Sequence, residues 1–255
     1  MKLYKQYLTQ NDCYTTGATI KPRGVMVHST GANNPTLRRY VGPNDGRLGL
    51  NRYNNHWNRP GIKTCVHAFI GELADGSVAT YQTLPWNYRG WHSGGGANNT
   101  HISFEICEDG LTDASYFKAV YQEAVELTAY LCKKYGLDPL ADGVVICHSE
   151  GHARGIASNH GDVLHWFPRH GKNMNDFRAD VAELVRGNTP SPTPISYKVK
   201  VIADALNIRS GAGTKNPVVG VIRDKGVYTI VDEMNGWGLL KSGAGWISLA
   251  YVRKL

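Results

Sequence analysis

No stretch of this chain approaches the ~20 consecutive apolar residues that a membrane-crossing helix needs, so an integral membrane segment is not expected. The first ten residues, Met1 to Gln10, carry a little positive charge, but no apolar segment follows them. A secretory signal peptide is therefore not expected, and the chain reads as one made and held in a cytosol until something releases it. Cys-x-x-Cys pairs are missing as well. The five cysteines (Cys13, Cys65, Cys107, Cys132 and Cys147) are odd in number and scattered, which in a reducing compartment argues against a disulfide framework or a cysteine-rich zinc knuckle. Charged residues reach only 19%, yet 42% of the chain is apolar, an ordinary soluble globular balance rather than a disordered one. What is plentiful is glycine (29) and tyrosine (14), which point to many tight turns and exposed aromatic surface. The 255 residues suffice for one large domain or two modest ones.

Residues 187–195 read Gly-Asn-Thr-Pro-Ser-Pro-Thr-Pro-Ile. Three prolines among small polar residues favour an extended, semi-stiff spacer. The expected organisation is thus a module over 1–186, a linker over 187–195 and a second module over 196–255. The net charge of +7 divides unevenly. The tail holds nine basic and four acidic side chains, net +5, so it is the expected contact for a polyanion.

The tail reads as short strands: Val199–Ile202, Ala205–Ser210, Val218–Ile222, Val227–Val231, Gly238–Lys241 and Gly245–Ile247. The turns Gly211-Ala212-Gly213-Thr214, Lys225-Gly226 and Asn235-Gly236 separate them. Such spacing predicts a small all-β barrel. The string Ala205-Leu-Asn-Ile-Arg-Ser-Gly-Ala-Gly213, with Asn235-Gly-Trp237 and Gly245-Trp-Ile247, resembles the bacterial SH3-like domain. That resemblance implies a cell-wall targeting module, in which Trp237 and Trp246 serve either binding or only the fold.

In the first module, Gly24-Val-Met-Val27 reads as a buried strand ending at His28. Cys65–Ile70 and Ser77–Tyr81 flank an Ala74-Asp75-Gly76 hairpin turn, and Ile102–Cys107 and Val144–Cys147 are further strands. From Asp113 to Tyr135 the apolar positions Phe117, Val120, Ala124, Leu127 and Leu131 recur at three and four, predicting a helix with Gly136 just beyond it. It makes Cys132 a buried free thiol. A last helix is expected from Asp176 to Arg186, capped by Asn175. The fold class is α/β: a central mixed β-sheet flanked by helices, followed by the small β barrel.

His28 and His148 each end an apolar strand and can project from one edge of the sheet. A catalytic zinc needs about three His, Asp, Glu or Cys ligands and an open position. The loop Arg154–Phe167 offers His160, Asp162 and His165 as further ligands, and spacing alone does not choose among them.

Val27-His28-Ser29-Thr30, Val66-His67-Ala-Phe-Ile70, Asp75-Gly76, Trp91-His92-Ser-Gly94, Asn99, Ile102–Ile106 and the His148 segment follow one another in a telling order. Over roughly residues 20–186 this order resembles the zinc-dependent N-acetylmuramoyl-L-alanine amidases of the phage-lysozyme and peptidoglycan-recognition type. The resemblance implies Zn2+ held by His28, His148 and Asp162, which lowers the pKa of its bound water and polarises the amide carbonyl. It also implies a catalytic acid at Glu105, which Phe104 and Ile106 place on the opposite face from themselves. His160 stands where many relatives have a lysine. It is expected to support the oxyanion by hydrogen bonding, with a pH dependence that a lysine would lack. His67, Trp91, His92 and Asn99 are expected to line the substrate groove, with core hydrogen bonding as the other reading of the two histidines. The segment Trp86–Trp91 would suit sugar or peptide contact, or simple packing. Some relatives carry a tyrosine where this chain has Val66, so any role of that tyrosine must fall to another residue.

His148-Ser-Glu-Gly-His152 lacks the Glu directly after the first histidine that a zincin requires, and Gly151 weakens a helix there. A zinc peptidase acting on the stem or cross-link remains the alternative, with a non-catalytic peptidoglycan-binding protein as the second. A thiol hydrolase is disfavoured because Cys147 and His148, adjacent on a strand, face opposite ways. The implied protein is a phage or prophage endolysin, stored in the host cytoplasm and acting on the wall after release, with an autolysin exported by another route as the alternative. Its expected partners are peptidoglycan and associated anionic wall polymers, with no nucleic acid and no integral membrane segment.

Overall fold

The computed structural model describes residues 1–187, 196–234 and 236–255. The chain forms two compact units, Met1–Pro190 and Ser191–Leu255. The proline-bearing linker apart from Gly187, and Asn235 of the second module, lie outside the described residues.

The first unit is built on strands β1 (Leu3–Lys5), β2 (Gly24–Ser29), β3 (Ala68–Glu72), β4 (Val78–Gln82), β5 (His101–Ile106) and β6 (Val145–Cys147). Its helices are α1 (Asp12–Thr16), α2 (Ala114–Tyr135), α3 (His148–Ala153) and α4 (Met174–Val185). The strands order as β1-β4-β3-β5-β2-β6. β3, β5, β2 and β6 run parallel, while β4 returns antiparallel to β3 through the Asp75-Gly76 turn. The sheet is therefore mixed.

Alternation along β2 and β5 sends Val25, Val27, Ile102, Phe104 and Ile106 to one face, where Phe117, Val120, Ala124, Leu127 and Leu131 of α2 cover them. Asp113 caps α2 through its carboxylate, and Gly136 ends it in the left-handed conformation. The opposite face is covered in two patches. Leu37, Tyr40, Val41 and Leu48 pack over Phe69 and Tyr81, and Ala97 packs on Met26 and Ile146 with Ile156 and Ala157 alongside. His28 and Glu105 occupy the same face as Met26 and Phe69, beyond these apolar patches.

In the first unit the structure differs from what the sequence suggests at several points. β3 starts at Ala68, because Cys65 instead bridges to Trp91 and bonds covalently to Cys13. This one disulfide departs from the expectation that argued against a disulfide framework; Cys107, Cys132 and Cys147 are free and buried, as expected of Cys132. α4 starts at Met174, since Asn173 caps it in a reciprocal capping box with Asp176. His148–Ala153 is helical despite Gly151, where a Cβ would come within 2.7 Å of the Met26 methyl, so close packing on β2 selects the glycine.

The second unit is a seven-stranded antiparallel sheet: β7 (Tyr197–Val201), β8 (Leu206–Arg209), β9 (Val218–Ile222), β10 (Val227–Met234), β11 (Trp237–Leu240), β12 (Trp246–Ser248) and β13 (Val252–Lys254), ordered β13-β7-β10-β11-β12-β8-β9. Val199, Val201, Leu206, Ile222, Ile230, Leu240 and Ile247 form its core. The last strand was not anticipated; it pairs with β7 through Val252, Arg253 and Lys254. Trp237 and Trp246 are half-buried on adjacent strands, with the Arg209 guanidinium 6.0 Å from the Trp237 ring.

Candidate metal centre

Strand register sets the site. Phe69, Glu105 and His28 stand abreast on β3, β5 and β2. Cys147 stands beside Val27, which carries His148, the next residue and the first of α3, alongside His28. The strands thus deliver two imidazoles and a carboxylate to one row. The third donor comes from the loop after α3, whose Asp162 reaches back over the sheet.

Asp162 Oδ2 lies 2.9 Å from His28 Nδ1 and 3.2 Å from His148 Nδ1, and the two Nδ1 atoms are 3.1 Å apart. Donors of a tetrahedral zinc at about 2.0–2.1 Å sit roughly 3.3 Å from one another, so this triangle has the size a small cation requires. Burial acts to raise the Asp162 carboxyl pKa, but hydrogen bonds from His148 and His28 outweigh it and hold it well below the usual range. Burial lowers the His28 pKa against the opposing pull of Asp162. An ionised carboxylate beside a neutral imidazole is the state in which such residues bind metal.

Each histidine is oriented by its other nitrogen. His28 Nε2 lies 3.0 Å from His92 Nδ1. His148 Nε2 lies 3.2 Å from Ser158 Oγ, whose hydroxyl donates to the Ser93 carbonyl at 3.1 Å and so accepts from the imidazole. A hydrogen bond donated from each Nε2 favours the tautomer whose Nδ1 can give a lone pair to a metal in place of its contact with Asp162. The Asn98 carboxamide oxygen accepts from the His92 and Ser93 amides and the Ser93 hydroxyl, pinning this loop. Gly95 lets it close on the opposite loop: a Cβ there would meet the Ile156 carbonyl at 2.6 Å. The sequence reading missed Asn98 and Ser158, whose types alone carry no metal signal.

Glu105 Oε2 is buried with no hydrogen-bond partner. Burial, then the charges of Asp162 and Glu108, raise its pKa well above the usual carboxylate range. His160 is exposed, its ring 4.6 Å from that of His148 and its Nδ1 3.2 Å from Ser158 Oγ. His165 stands apart from the three donors and pairs instead with Glu108 at 2.9 Å. Glu108 also accepts from the Gly31 amide, linking the end of β2 to the Asp162 loop.

The groove residues separate. His67 is fully buried, its Nε2 donating to the Tyr88 carbonyl and its Nδ1 accepting from the Ser103 amide. With both nitrogens taken by main chain, His67 fits the core hydrogen-bonding reading better than a place in the groove. His92 touches His28 directly, so it orients that histidine. Trp91 is 50% exposed, with the Arg89 guanidinium 5.1 Å from its ring; Arg89 also donates to Asn99 Oδ1. Trp91 and Asn99 therefore share an exposed patch beside His92. Trp86 is almost wholly buried, which assigns it to packing.

Residues 18–165 match the family model described as N-acetylmuramoyl-L-alanine amidase, and residues 204–253 match the bacterial SH3 domain. The first match spans more than half of the chain, and the protein belongs to the N-acetylmuramoyl-L-alanine amidase family. Among solved structures, the fold is similar to that of Staphylococcus aureus hydrolase AmiA in complex with its ligand: 20% identity, 75% of this chain and 88% of that one, TM-score 0.52. It is likewise similar to the PlyG catalytic domain: 23% identity, 76% of this chain and 100% of that one, TM-score 0.51. No curated protein matches the sequence.

Proposed function

We propose that the first unit is a zinc-dependent amidase that cleaves the bond between the lactyl group of N-acetylmuramic acid and L-alanine in peptidoglycan. The observation that carries this reading is the convergence of His28 Nδ1, His148 Nδ1 and Asp162 Oδ2 within 3.2 Å of one another. Two nitrogens and one carboxylate oxygen fit zinc, and three protein donors leave a tetrahedral ion one open position. When bound there, zinc supplies Lewis acidity, making water a nucleophile near neutral pH and polarising the scissile carbonyl.

The protein's own groups do the rest. Glu105 Oε2, buried and unpaired on the strand beside His28, takes the proton of the attacking water and returns it to the departing alanine nitrogen. His160 supports the negative charge that develops on the carbonyl oxygen. His92 and Ser158 hold the two imidazoles in their binding tautomers. Trp91 and Asn99 receive part of the glycan or peptide on the exposed patch beside His92. The presence of a base beside the three donors favours an enzyme over a binding-only protein.

The second unit acts as a wall-binding module for peptidoglycan and its anionic polymers, and the whole reads as a phage or prophage endolysin acting on the wall. Its net charge of +5 supports attraction to a polyanion, and wall attachment raises the local concentration of enzyme. The test is metal content alongside lysis. Asp162→Ala should lose both stoichiometric zinc and activity. Full zinc retention in that variant would remove Asp162 from the site.

A further inference from the structure

The tail is not the only basic part of the molecule. Residues 38–63 carry Arg38, Arg39, Arg47, Arg52, Arg59 and Lys63 against the single acid Asp45, net +5 in 26 residues. The rest of the first module, through residue 195, holds 13 basic and 16 acidic side chains, net −3. This segment is the covering over the β3 and β4 half of the sheet, folded back on Tyr40, Trp57 and Phe69.

Its charge is not neutralised internally. Asp45 is committed to the Tyr81 hydroxyl, to the amides of Arg47 and Leu48 and to Arg47 itself at 3.5 Å. Arg39 is held by the Asn55 carbonyl and lies against the Tyr40 ring, and Arg59 is held by the His56 carbonyl. Arg38 and Arg52 are exposed and, among the described residues, have no carboxylate partner. The two segments that carry them are joined: Asn51 Nδ2 donates to the Arg38 carbonyl, and the Arg38 guanidinium lies beside Gly49. Next to Gly49 and Arg52 in the chain, Leu50 is 67% exposed and Tyr53 86% exposed. Arginines positioned by neutral groups keep their charge for an external anion, and guanidinium forks match phosphate oxygens.

We propose that the Arg38–Tyr53 surface binds a phosphate-bearing polymer of the cell wall, independently of the tail. The guanidinium groups of Arg38 and Arg52 take the phosphates, and the Tyr53 ring packs on the polyol or sugar between them. A bilayer is disfavoured as the occupant because only two apolar side chains project here, whereas an interfacial anchor needs a continuous apolar face. The proposal goes beyond the amidase reading, since it concerns attachment and not cleavage.

The experiment measures binding of the full-length Arg38→Ser/Arg52→Ser variant and the native protein. The probes are purified walls bearing their phosphodiester polymers, the same walls stripped by hydrofluoric acid, and phosphatidylglycerol vesicles. The expected result is a loss of roughly tenfold or more on polymer-bearing walls, from about fivefold per arginine near an anionic surface, with native and variant equal on stripped walls. The Arg38→Lys/Arg52→Lys variant, which keeps the charge and loses the fork, binds polymer-bearing walls more tightly than the Ser variant and less tightly than the native protein, which separates charge from misfolding. Equal binding of native and Ser variant to polymer-bearing walls overturns the proposal. A difference that persists on stripped walls, or one seen only on vesicles, also overturns it. Cleavage of a soluble muropeptide, read in parallel, reports on the amidase reading separately.

Discussion

His28 and Glu105 are register partners on neighbouring parallel strands, so a metal-ligand candidate and a buried, unpaired carboxyl share one face, one strand spacing apart. The arrangement makes a clear division of labour. Glu105→Gln should keep zinc at native stoichiometry while muropeptide cleavage falls by about 10²–10⁴-fold, the usual worth of a general base. Zinc loss in this variant, or native turnover, would show that the carboxyl has another role.

His92 reaches the centre only through His28 Nε2, at 3.0 Å. His92→Phe keeps a ring in place and removes the acceptor. Zinc affinity, measured by chelator competition, should weaken by about 10–100-fold, with activity recovering as zinc is raised. An unchanged affinity would mean that the His28 tautomer is set elsewhere.

His67 gives a pH signature of stability. Burial lowers its pKa from 6.5 to about 4, against the opposing effect of its bonds to Tyr88 and Ser103. Between those values the unfolded chain binds a proton that the native protein does not, so stability falls as pH drops from 6.5 toward 4. The loss approaches ~3 kcal/mol across the window. Thermal melts of His67→Gln should show a shallower pH slope there than the native protein; equal slopes would contradict this assignment.

Much of this centre is legible in the chain because strand ends are legible. Val25 and Val27 alternate with Met26 and His28, and Phe104 and Ile106 flank Glu105, so period-two patterning alone places His28 and Glu105 off the apolar face. The choice of Asp162 over His160 and His165 is different, since it depends on how a long loop folds back, and only the family resemblance pointed to it. His67 stays open in the sequence because a histidine just before a strand looks the same whether its nitrogens meet substrate or main chain. The Cys13–Cys65 pair was missed because its halves are 52 residues apart and no local motif links them.

That disulfide ties α1 to the segment whose backbone pairs with Trp91, next to His92. Closing a loop of this length restricts the unfolded chain by about 2–4 kcal/mol. Cys13→Ser, or reduction of the native protein, should lower the midpoint of thermal unfolding accordingly. A midpoint insensitive to reductant would contradict a stabilising role.

The most direct test is end-group analysis of cell wall digested by the intact protein. Cleavage at the muramoyl amide releases new amino-terminal alanine without new reducing sugar ends, and Asp162→Ala releases none. A new amine on any other stem or cross-link residue, or the appearance of reducing ends, would contradict the amidase account.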